Sequence, residues 1–164
     1  MAIWKLFIDG SVDPRSKVGY GAFLCVPQEN LFFESLRTRV KVKSFEQTSS
    51  TKLELQTLVW ALTTIQEKVG KVVVFTDSQN IIGLPGRRRR FEQNDYRTKK
   101  NKCIKNFKLY QEFFKIVDHL CCEFIKVRGH KVSHQKNEID KFFTLVDKAS
   151  RKALRHRKSL MEIS

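Results

Sequence analysis

The stretch AIWKLFIDGS, residues 2–11, decides how the fold begins. Its apolar side chains Trp4, Leu6 and Ile8 alternate with their neighbours along the chain, and the run closes on Asp9 before a Gly-Ser pair. Alternation of this kind is typical of a β-strand, and Gly and Ser are typical of the turn after one. The pattern predicts a first strand over residues 2–9 with Asp9 at its carboxyl end.

The rest of the chain continues as strands and helices in a definite order. The predicted strands cover residues 18–26, 31–42, 72–75 and 121–127, and the predicted helices begin near Leu55 and Phe107 and cover about 138–156. The Gly-, Pro- and Arg-rich stretch at 83–102 interrupts the helical spacing and predicts irregular structure. The order βββαβαβα indicates an α/β fold with a five-stranded mixed sheet, in which an antiparallel meander precedes parallel strands flanked by helices.

Length and charge narrow the class of protein. The chain has 164 residues, which suits a single domain over 1–164, and its formal charge of +15 with a pI near 9.9 predicts a polyanionic partner rather than a merely soluble basic surface. No apolar run is long enough to span a membrane and no secretory signal is visible, so we expect a cytoplasmic protein, and a monomer. The four cysteines lack zinc-ligand spacing and are expected to be reduced.

Acidic residues fall at predicted element ends, which is unusual in so basic a chain. They are Asp9, Glu54, Asp77 and a fourth in the last helix, either Asp147 or Asp140. A cluster of carboxylates is electrostatically costly unless divalent cations neutralise it, and Mg²⁺ prefers carboxylate oxygens and water. The acids therefore predict a metal-dependent site that acts on phosphodiesters.

Each of these acids has a simpler explanation. Asp9 before Gly10 fits a plain turn residue. Glu54, three residues after Thr51, fits a capping box, and Asp77 fits the N-cap of a helix that begins near Ser78. Capping does not explain why the acids occur together in register, so the metal-binding interpretation is preferred.

Five blocks of sequence in order carry a family resemblance. They are FIDGS at 7–11, TKLELQTLVWAL at 51–62, FTDSQ at 75–79, a strand ending in RGH at 128–130, and the Asp-bearing last helix. Together, over about residues 3–155, they resemble type 1 ribonuclease H. The resemblance implies endonucleolytic hydrolysis of the RNA strand of RNA/DNA hybrids, with Mg²⁺ or Mn²⁺ and with 5′-phosphate and 3′-hydroxyl products.

The fourth carboxylate stays a choice between two residues. Asp140 follows His130 by ten residues, which is the family's usual count. Asp147 is followed by small and basic residues, as the family's helix Asp is, and the two acids are seven residues apart on one side of a helix. Loop length varies cheaply whereas the helix face does not, so Asp147 is preferred and Asp140 is the substitute.

His130 follows the last predicted strand in a polar loop. A loop histidine is commonly a solvated bystander, but its ordinary pKa suits proton transfer near neutral pH. The resemblance implies a part for His130 in proton shuttling or in the release of metal or product. His134, four residues further on, is a weaker candidate.

A two-metal mechanism follows from these assignments. One ion would be held by Asp9 and Asp147 and would activate a water molecule, and a second would be held by Asp9, Glu54 and Asp77 and would stabilise the leaving oxygen. Mg²⁺ fits this donor set, because zinc would ordinarily require His or Cys ligands.

Substrate contacts are predicted beside the acids and in a basic segment. The residues expected along the hybrid's minor groove, where a ribose 2′-OH marks RNA, are Gly10, Ser11, Ser50, Thr51 and Gln79. Their alternative role is in caps and turns. The segment 83–108 occupies the place of the family's basic handle, and its arginines, predicted to contact phosphates, are Arg87, Arg88, Arg89 and Arg90. It lacks the handle's tryptophans, and a solvated loop is the alternative.

Two other classes of function share these features. One is a catalytically silent protein that binds RNA/DNA hybrids, which would not need every carboxylate. The other is a related metal nuclease acting on DNA, such as an integrase or a junction resolvase. The Ser and Thr residues expected to face ribose argue against a DNA substrate.

Overall fold

The computed structural model describes residues 3–28, 39–128 and 137–163. Its strands are β1 (Ile3–Asp13), β2 (Val18–Pro27), β3 (Lys41–Phe45), β4 (Lys71–Thr76) and β5 (Cys121–Lys126). Its helices are α1 (Ser50–Ile65), α2 (Gln79–Ile82), α3 (Leu84–Gln93), α4 (Phe107–Val117) and α5 (Glu138–Ile163). None of the helices in these ranges is both long and apolar enough to cross a bilayer.

The five strands form one mixed sheet in the order β3-β2-β1-β4-β5. The pairs β1–β2 and β2–β3 are antiparallel, whereas β1–β4 and β4–β5 are parallel. An antiparallel meander followed by crossovers through helices produces this arrangement. The predicted fold class and the mixed sheet are confirmed.

Alternation along β1 divides the core into two layers. Leu6 and Ile8 are buried in a cluster with side chains of α1 and α4 on one face. Phe7 points to the other face, where its ring stacks on Phe75 at 4.9 Å and meets Phe142 of α5 edge-on at 5.4 Å. Both faces of β1 are therefore covered, which fixes its register, because a slip by one residue would exchange the two sets.

Glycines allow α1 to lie close to the sheet. A Cβ added at Gly21 would overlap the Thr57 hydroxyl, and one added at Gly10 or Gly19 would come within 2.8 or 2.7 Å of Leu53 Cδ2. Gly10 and Gly21 are opposite each other in the β1–β2 ladder. The first two turns of α1 thus rest directly on strand backbone, as glycine permits.

The first strand continues past its predicted end. Asp9 and Gly10 pair with Ala22 and Gly21 inside the β1–β2 ladder, and the strand runs on to Asp13. The predicted turn at Gly10 was wrong, and so was the explanation of Asp9 as a turn residue. Gly10 serves close packing against α1 rather than chain reversal.

Other boundaries also differ from prediction. The stretch expected to be irregular contains helix α3, which has Pro at its amino-terminal turn, where the missing N–H costs nothing. Helix α1 begins at Ser50, and α5 extends to Ile163 rather than ending near 156. Strand β3 begins at Lys41, while residues 29–38 of the predicted third strand and its preceding turn lie outside the described ranges.

Candidate active site

Parallel pairing of β1 with β4 brings the first two acids together. The paired register ends at Phe7 and Phe75, two residues before Asp9 and Asp77 respectively. Asp9 is half-buried, and Asp77 is exposed just beyond the end of β4. Strands in parallel register carry equivalent residues to the same edge, so both carboxylates lie where β4 ends and β1 continues alone beside β2.

Glu54 reaches this edge from α1. The N-cap of α1 is Ser49, whose hydroxyl accepts from Lys52 N at 3.3 Å, so Glu54 is the fifth helical residue and not the third. The capping box predicted as an alternative for Thr51 and Glu54 was wrong. The Glu54 carboxylate instead accepts a hydrogen bond of 2.6 Å from the Ser78 hydroxyl, next to Asp77.

Ser78 also caps the helix that follows β4. Its hydroxyl oxygen accepts from Ile81 N at 3.2 Å, which makes Ser78 the N-cap of α2. The alternative role of Asp77 as that cap was therefore wrong. One hydroxyl group holds the start of α2 and the Glu54 side chain together.

The two candidates for the fourth carboxylate occupy different environments. Asp147 of α5 shares a hydrogen bond with the Asp9 carboxyl and forms an ion pair with Arg151 Nε at 2.9 Å. Asp140, which is only 6% exposed, accepts from Asn137 N at 3.1 Å, and its own N–H donates to Asn137 Oδ1 at 2.9 Å. This reciprocal pair caps the start of α5. The structure brings Asp147, and not Asp140, to Asp9.

The cluster is strongly perturbed electrostatically. Burial, followed by the neighbouring Asp77 and Asp147, raises the pKa of Asp9 from 3.8 to about 8, and only a hydrogen bond from the Gly10 backbone opposes the shift. Burial also raises the pKa of Glu54, aided by Asp77 and opposed by the Ser78 hydrogen bond. Desolvation and like charge both disfavour ionised carboxylates, and a bound cation would reverse both effects.

The donor set fits a hard divalent cation. A small pocket is lined by the carboxylates of Asp9, Glu54 and Asp77 with Ile8, Thr57 and Ile81 as its wall. Within residues 3–28, 39–128 and 137–163, no three acidic, His or Cys side chains already converge on one point as ligands of a single ion. The Glu54 carboxylate is held by the Ser78 hydroxyl, and the Asp147 carboxylate is held by Arg151.

The raised pKa of Asp9 predicts a pH-dependent loss of stability in protein treated with EDTA. Below about pH 4 the carboxyl group is protonated in both folded and unfolded chains, whereas between pH 4 and 8 only the unfolded chain ionises, so stability falls until pH 8. We expect the free energy of unfolding of Asp9→Asn to rise by about 2 kcal/mol relative to that of wild type as the pH is raised from 6 to 9. Urea unfolding of both proteins at pH 6 and at pH 9 measures this change. The same difference in unfolding free energy at both pH values would contradict the prediction.

The other predicted residues are distributed around the acids. Ser11 lies in β1 opposite Tyr20, and Ser50 and Thr51 are exposed in the first turn of α1. Gln79 is exposed at the start of α2. His130 and His134 lie outside the described residues, so their predicted roles stay predictions.

The four arginines of α3 divide into two pairs. Arg87 donates to the backbone and side-chain oxygens of Asn80, and Arg88 binds Asp118 through both terminal nitrogens at 2.6 and 2.9 Å and Glu92 through Nε at 2.7 Å. Arg89 and Arg90 are exposed. The first pair anchors α3 to the domain, and the second is accessible to a polyanion.

Three residues at the site were missed in the sequence. Ser78 stands inside the FTDSQ block, yet its bond to Glu54 joins residues 24 apart in the chain. Arg151 was detectable, because an acid and a base four residues apart on a helix commonly pair. Lys126, whose Nζ donates to Gln79 Oε1 at 2.8 Å, had no sequence signal, since its partner is 47 residues away.

Solved structures with similar folds include members and relatives of one nuclease family. LC9-RNase H1, a type 1 RNase H with the type 2 active-site motif, superposes with a TM-score of 0.69 at 20% identity, over 93% of this chain and 72% of that one. The foamy viral protease-reverse transcriptase in complex with RNA/DNA hybrid gives a TM-score of 0.63 at 10% identity, over 92% of this chain and 19% of that one. At these identities the likeness shows the fold.

Sequence comparison gives the family itself. A ribonuclease H of Chlorobaculum parvum is 24% identical over 147 residues, which are 87% of this chain and 94% of that protein. A ribonuclease H of Caldicellulosiruptor saccharolyticus is 28% identical over 102 residues, which are 60% of this chain and 70% of that protein. The family model for RNase H matches residues 2–153, and the chain therefore belongs to the RNase H family of nucleases.

Proposed function

We propose that this chain is an endonuclease that hydrolyses the RNA strand of RNA/DNA hybrids with two Mg²⁺ ions, for which Mn²⁺ can substitute. The observation that carries the proposal is the environment of the half-buried Asp9, whose pKa is raised by burial and by the neighbouring Asp77 and Asp147. Three acids brought together from β1, the end of β4 and α5 raise the pKa of the central one, which is costly unless cations occupy the site.

Ligand roles follow from the positions of the carboxylates. Asp9 and Asp147 would hold one ion, and Asp9, Glu54 and Asp77 would hold the other. When bound, the ions lower the pKa of a water molecule and stabilise the leaving 3′ oxygen, which gives 5′-phosphate and 3′-hydroxyl ends. Ser78 orients Glu54, and the Arg151 guanidinium orients Asp147. His130 is proposed to assist proton transfer or release of metal or product.

Asp140 has a structural role in this proposal. Its carboxylate accepts from the Asn137 N–H, and its own N–H is satisfied by the Asn137 side chain, so it stabilises the first turn of α5. Asp147 belongs to the same helix as Asp140, but it lies beside Asp9. The cap therefore fixes the start of the helix that delivers the fourth carboxylate.

The surface beside the acids suits a hybrid duplex. Ser50 and Thr51 are exposed one turn before Glu54, and Gln79 is exposed two residues after Asp77. Hydroxyl and amide groups bond ribose 2′-OH groups and minor-groove edges, which distinguishes RNA from DNA. Gly10 and Ser11 complete the proposed contact surface. A single domain of residues 1–164, a monomeric state and a cytoplasmic location stay predictions.

A cleavage assay separates the candidate functions. The protein is incubated with Mg²⁺, Mn²⁺ or EDTA and with end-labelled RNA/DNA hybrid, double-stranded RNA or double-stranded DNA of one sequence. We expect cleavage of the RNA strand of the hybrid alone, lost in EDTA. Binding of the hybrid without cleavage would instead support a catalytically silent protein, and cleavage of double-stranded DNA would support a DNA nuclease.

The division of the α3 arginines predicts two kinds of variant. Arg89→Gln combined with Arg90→Gln is expected to raise KM for the hybrid and to reduce the salt dependence of binding by about two phosphate contacts, because both side chains are exposed. Arg88→Gln is expected to lower Tm instead, since it breaks the bidentate pair with Asp118. Binding titrations at several salt concentrations and thermal unfolding measure the two effects. An equal loss of affinity in both variants, with unchanged Tm, would contradict the division.

A further inference from the structure

Lys126 stands beside the acidic cluster without a role in the proposed chemistry. It is the last residue of β5 and pairs in register with Thr76, the residue before Asp77. Val127 N donates to Thr76 O at 2.8 Å, which fixes the backbone just beyond Lys126. The exposed side chain extends to α2, where Nζ donates to Gln79 Oε1 at 2.8 Å.

The chemistry of the two groups fixes the orientation of the amide. A lysine ammonium group carries donors only, whereas a glutamine amide has an acceptor oxygen on one side and an NH₂ donor on the other. When Lys126 binds Oε1, the opposite side of the Gln79 amide presents Nε2 and its two hydrogens. Gln79 thereby becomes a donor toward anything that approaches α2 from solvent.

A donor in this place matches what a duplex offers in its minor groove. Purine N3 and pyrimidine O2 are acceptors at every base pair, so a donor can bond there whatever the sequence. An amide turned the other way would place its oxygen against those acceptors and could bond only the donors of the groove, the guanine N2 amino group and the ribose 2′-OH.

We propose that Lys126 is a positioning residue that holds the Gln79 amide with its Nε2 hydrogens facing the minor groove of the bound hybrid. The inference rests on the proposed function. It assigns Lys126 an effect on substrate affinity that passes through Gln79 and does not depend on sequence.

A direct phosphate contact by Lys126 is the competing account. The two accounts differ in a double-mutant cycle, because an effect that passes through Gln79 disappears when Gln79 is removed, whereas a phosphate contact survives its removal. Steady-state cleavage of an RNA/DNA hybrid in the presence of Mg²⁺ gives KM and kcat for Lys126→Met, Gln79→Ala and the double variant. Lys71→Met is the matched control, since Lys71 lies at the opposite end of the neighbouring strand β4 and pairs with Glu123.

We expect Lys126→Met to raise KM about threefold to tenfold, as loss of one well-placed hydrogen bond does, with kcat nearly unchanged. The same substitution in the Gln79→Ala background should change KM by less than about twofold, within the additivity error of such cycles. Lys126→Arg should retain affinity, because arginine is also donor-only.

Gln79→Glu gives an independent readout. Glutamate keeps and strengthens the contact with Lys126 as an ion pair, but it has no N–H to offer the groove and adds a negative charge, so its KM should be at least as high as that of Gln79→Ala. Equal fold-changes for Lys126→Met in both backgrounds, or wild-type KM for Gln79→Glu, would overturn the inference while leaving hybrid cleavage intact. Failure of the wild type to cleave the hybrid would instead overturn the proposed function and this inference with it.

Discussion

Asp147→Asn is expected to reduce hybrid cleavage in Mg²⁺ by at least about 10³-fold, because removal of a carboxylate ligand forfeits several kcal/mol of transition-state stabilisation. The basis is the proximity of Asp147 to Asp9, whose pKa it raises. The asparagine is nearly isosteric and sits on a helix whose packing it does not alter, so the protein should remain folded. Single-turnover cleavage with saturating enzyme measures the effect apart from binding.

Asp140→Asn is the matched control on the same helix. It exchanges a carboxylate for an amide in the reciprocal cap with Asn137, which weakens the start of α5 by about 0.5–2 kcal/mol. We therefore expect a lower Tm and a cleavage rate within about tenfold of wild type, since a cap loss of this size leaves most molecules folded. A complete loss of cleavage in Asp140→Asn, with Asp147→Asn active, would show that the fourth ligand is Asp140.

Gly21→Ala is expected to be more damaging than alanine at Gly10, Gly19, Gly83 or Gly86. The added Cβ would overlap the Thr57 hydroxyl, which is 1% exposed and bonded to Leu53 O at 2.7 Å, so α1 or β2 must shift. Overpacking against a buried side chain costs about 1–3 kcal/mol, or roughly 2–12 °C in Tm. A displaced α1 also carries Glu54 away from Ser78, so kcat should fall in the molecules that still fold.

Gly86→Ala provides the comparison for backbone effects. Gly86 lies in α3 with nothing within 4 Å of an added Cβ, so alanine there should leave stability unchanged or raise it by up to about 1 kcal/mol. Thermal unfolding of both variants tests the assignment. A loss of stability in Gly86→Ala as large as that in Gly21→Ala would mean that the close approach of α1 is not the cause.

The strands of the sheet could be predicted because their patterns of apolar residues are visible in the sequence alone. The run VVVF predicted a strand buried on both faces, and β4 has the neighbours β1 and β5 on its two sides and helices on both faces. Helix α3 was not predictable, because its arginines have no apolar periodicity. It is held by tertiary contacts instead: Arg88 with Asp118, and Phe91 with the ring of Tyr110 at 5.0 Å.

The positions of the acids could be predicted, but their partners could not. Asp9 and Asp77 were each predicted at the end of a strand, and the parallel pairing of β1 with β4 carries both to one edge of the sheet. The count of residues from His130 favoured Asp140. In the structure Asp140 instead forms a cap with Asn137 at the start of α5. Glu54 resembled a capping residue because Thr51, three residues before it, fits an N-cap, whereas the N-cap is Ser49.

The docking of α5 against β1 and β2 has a consequence for folding. Asp9, Glu54 and Asp77 belong to elements that can pair soon after synthesis, but Asp147 arrives on the last helix, from the far end of the sequence. Domains emerge from the ribosome amino terminus first. The sheet can therefore assemble while the chain still lacks Asp147, the proposed fourth ligand, so we expect nuclease activity to begin only after α5 has docked.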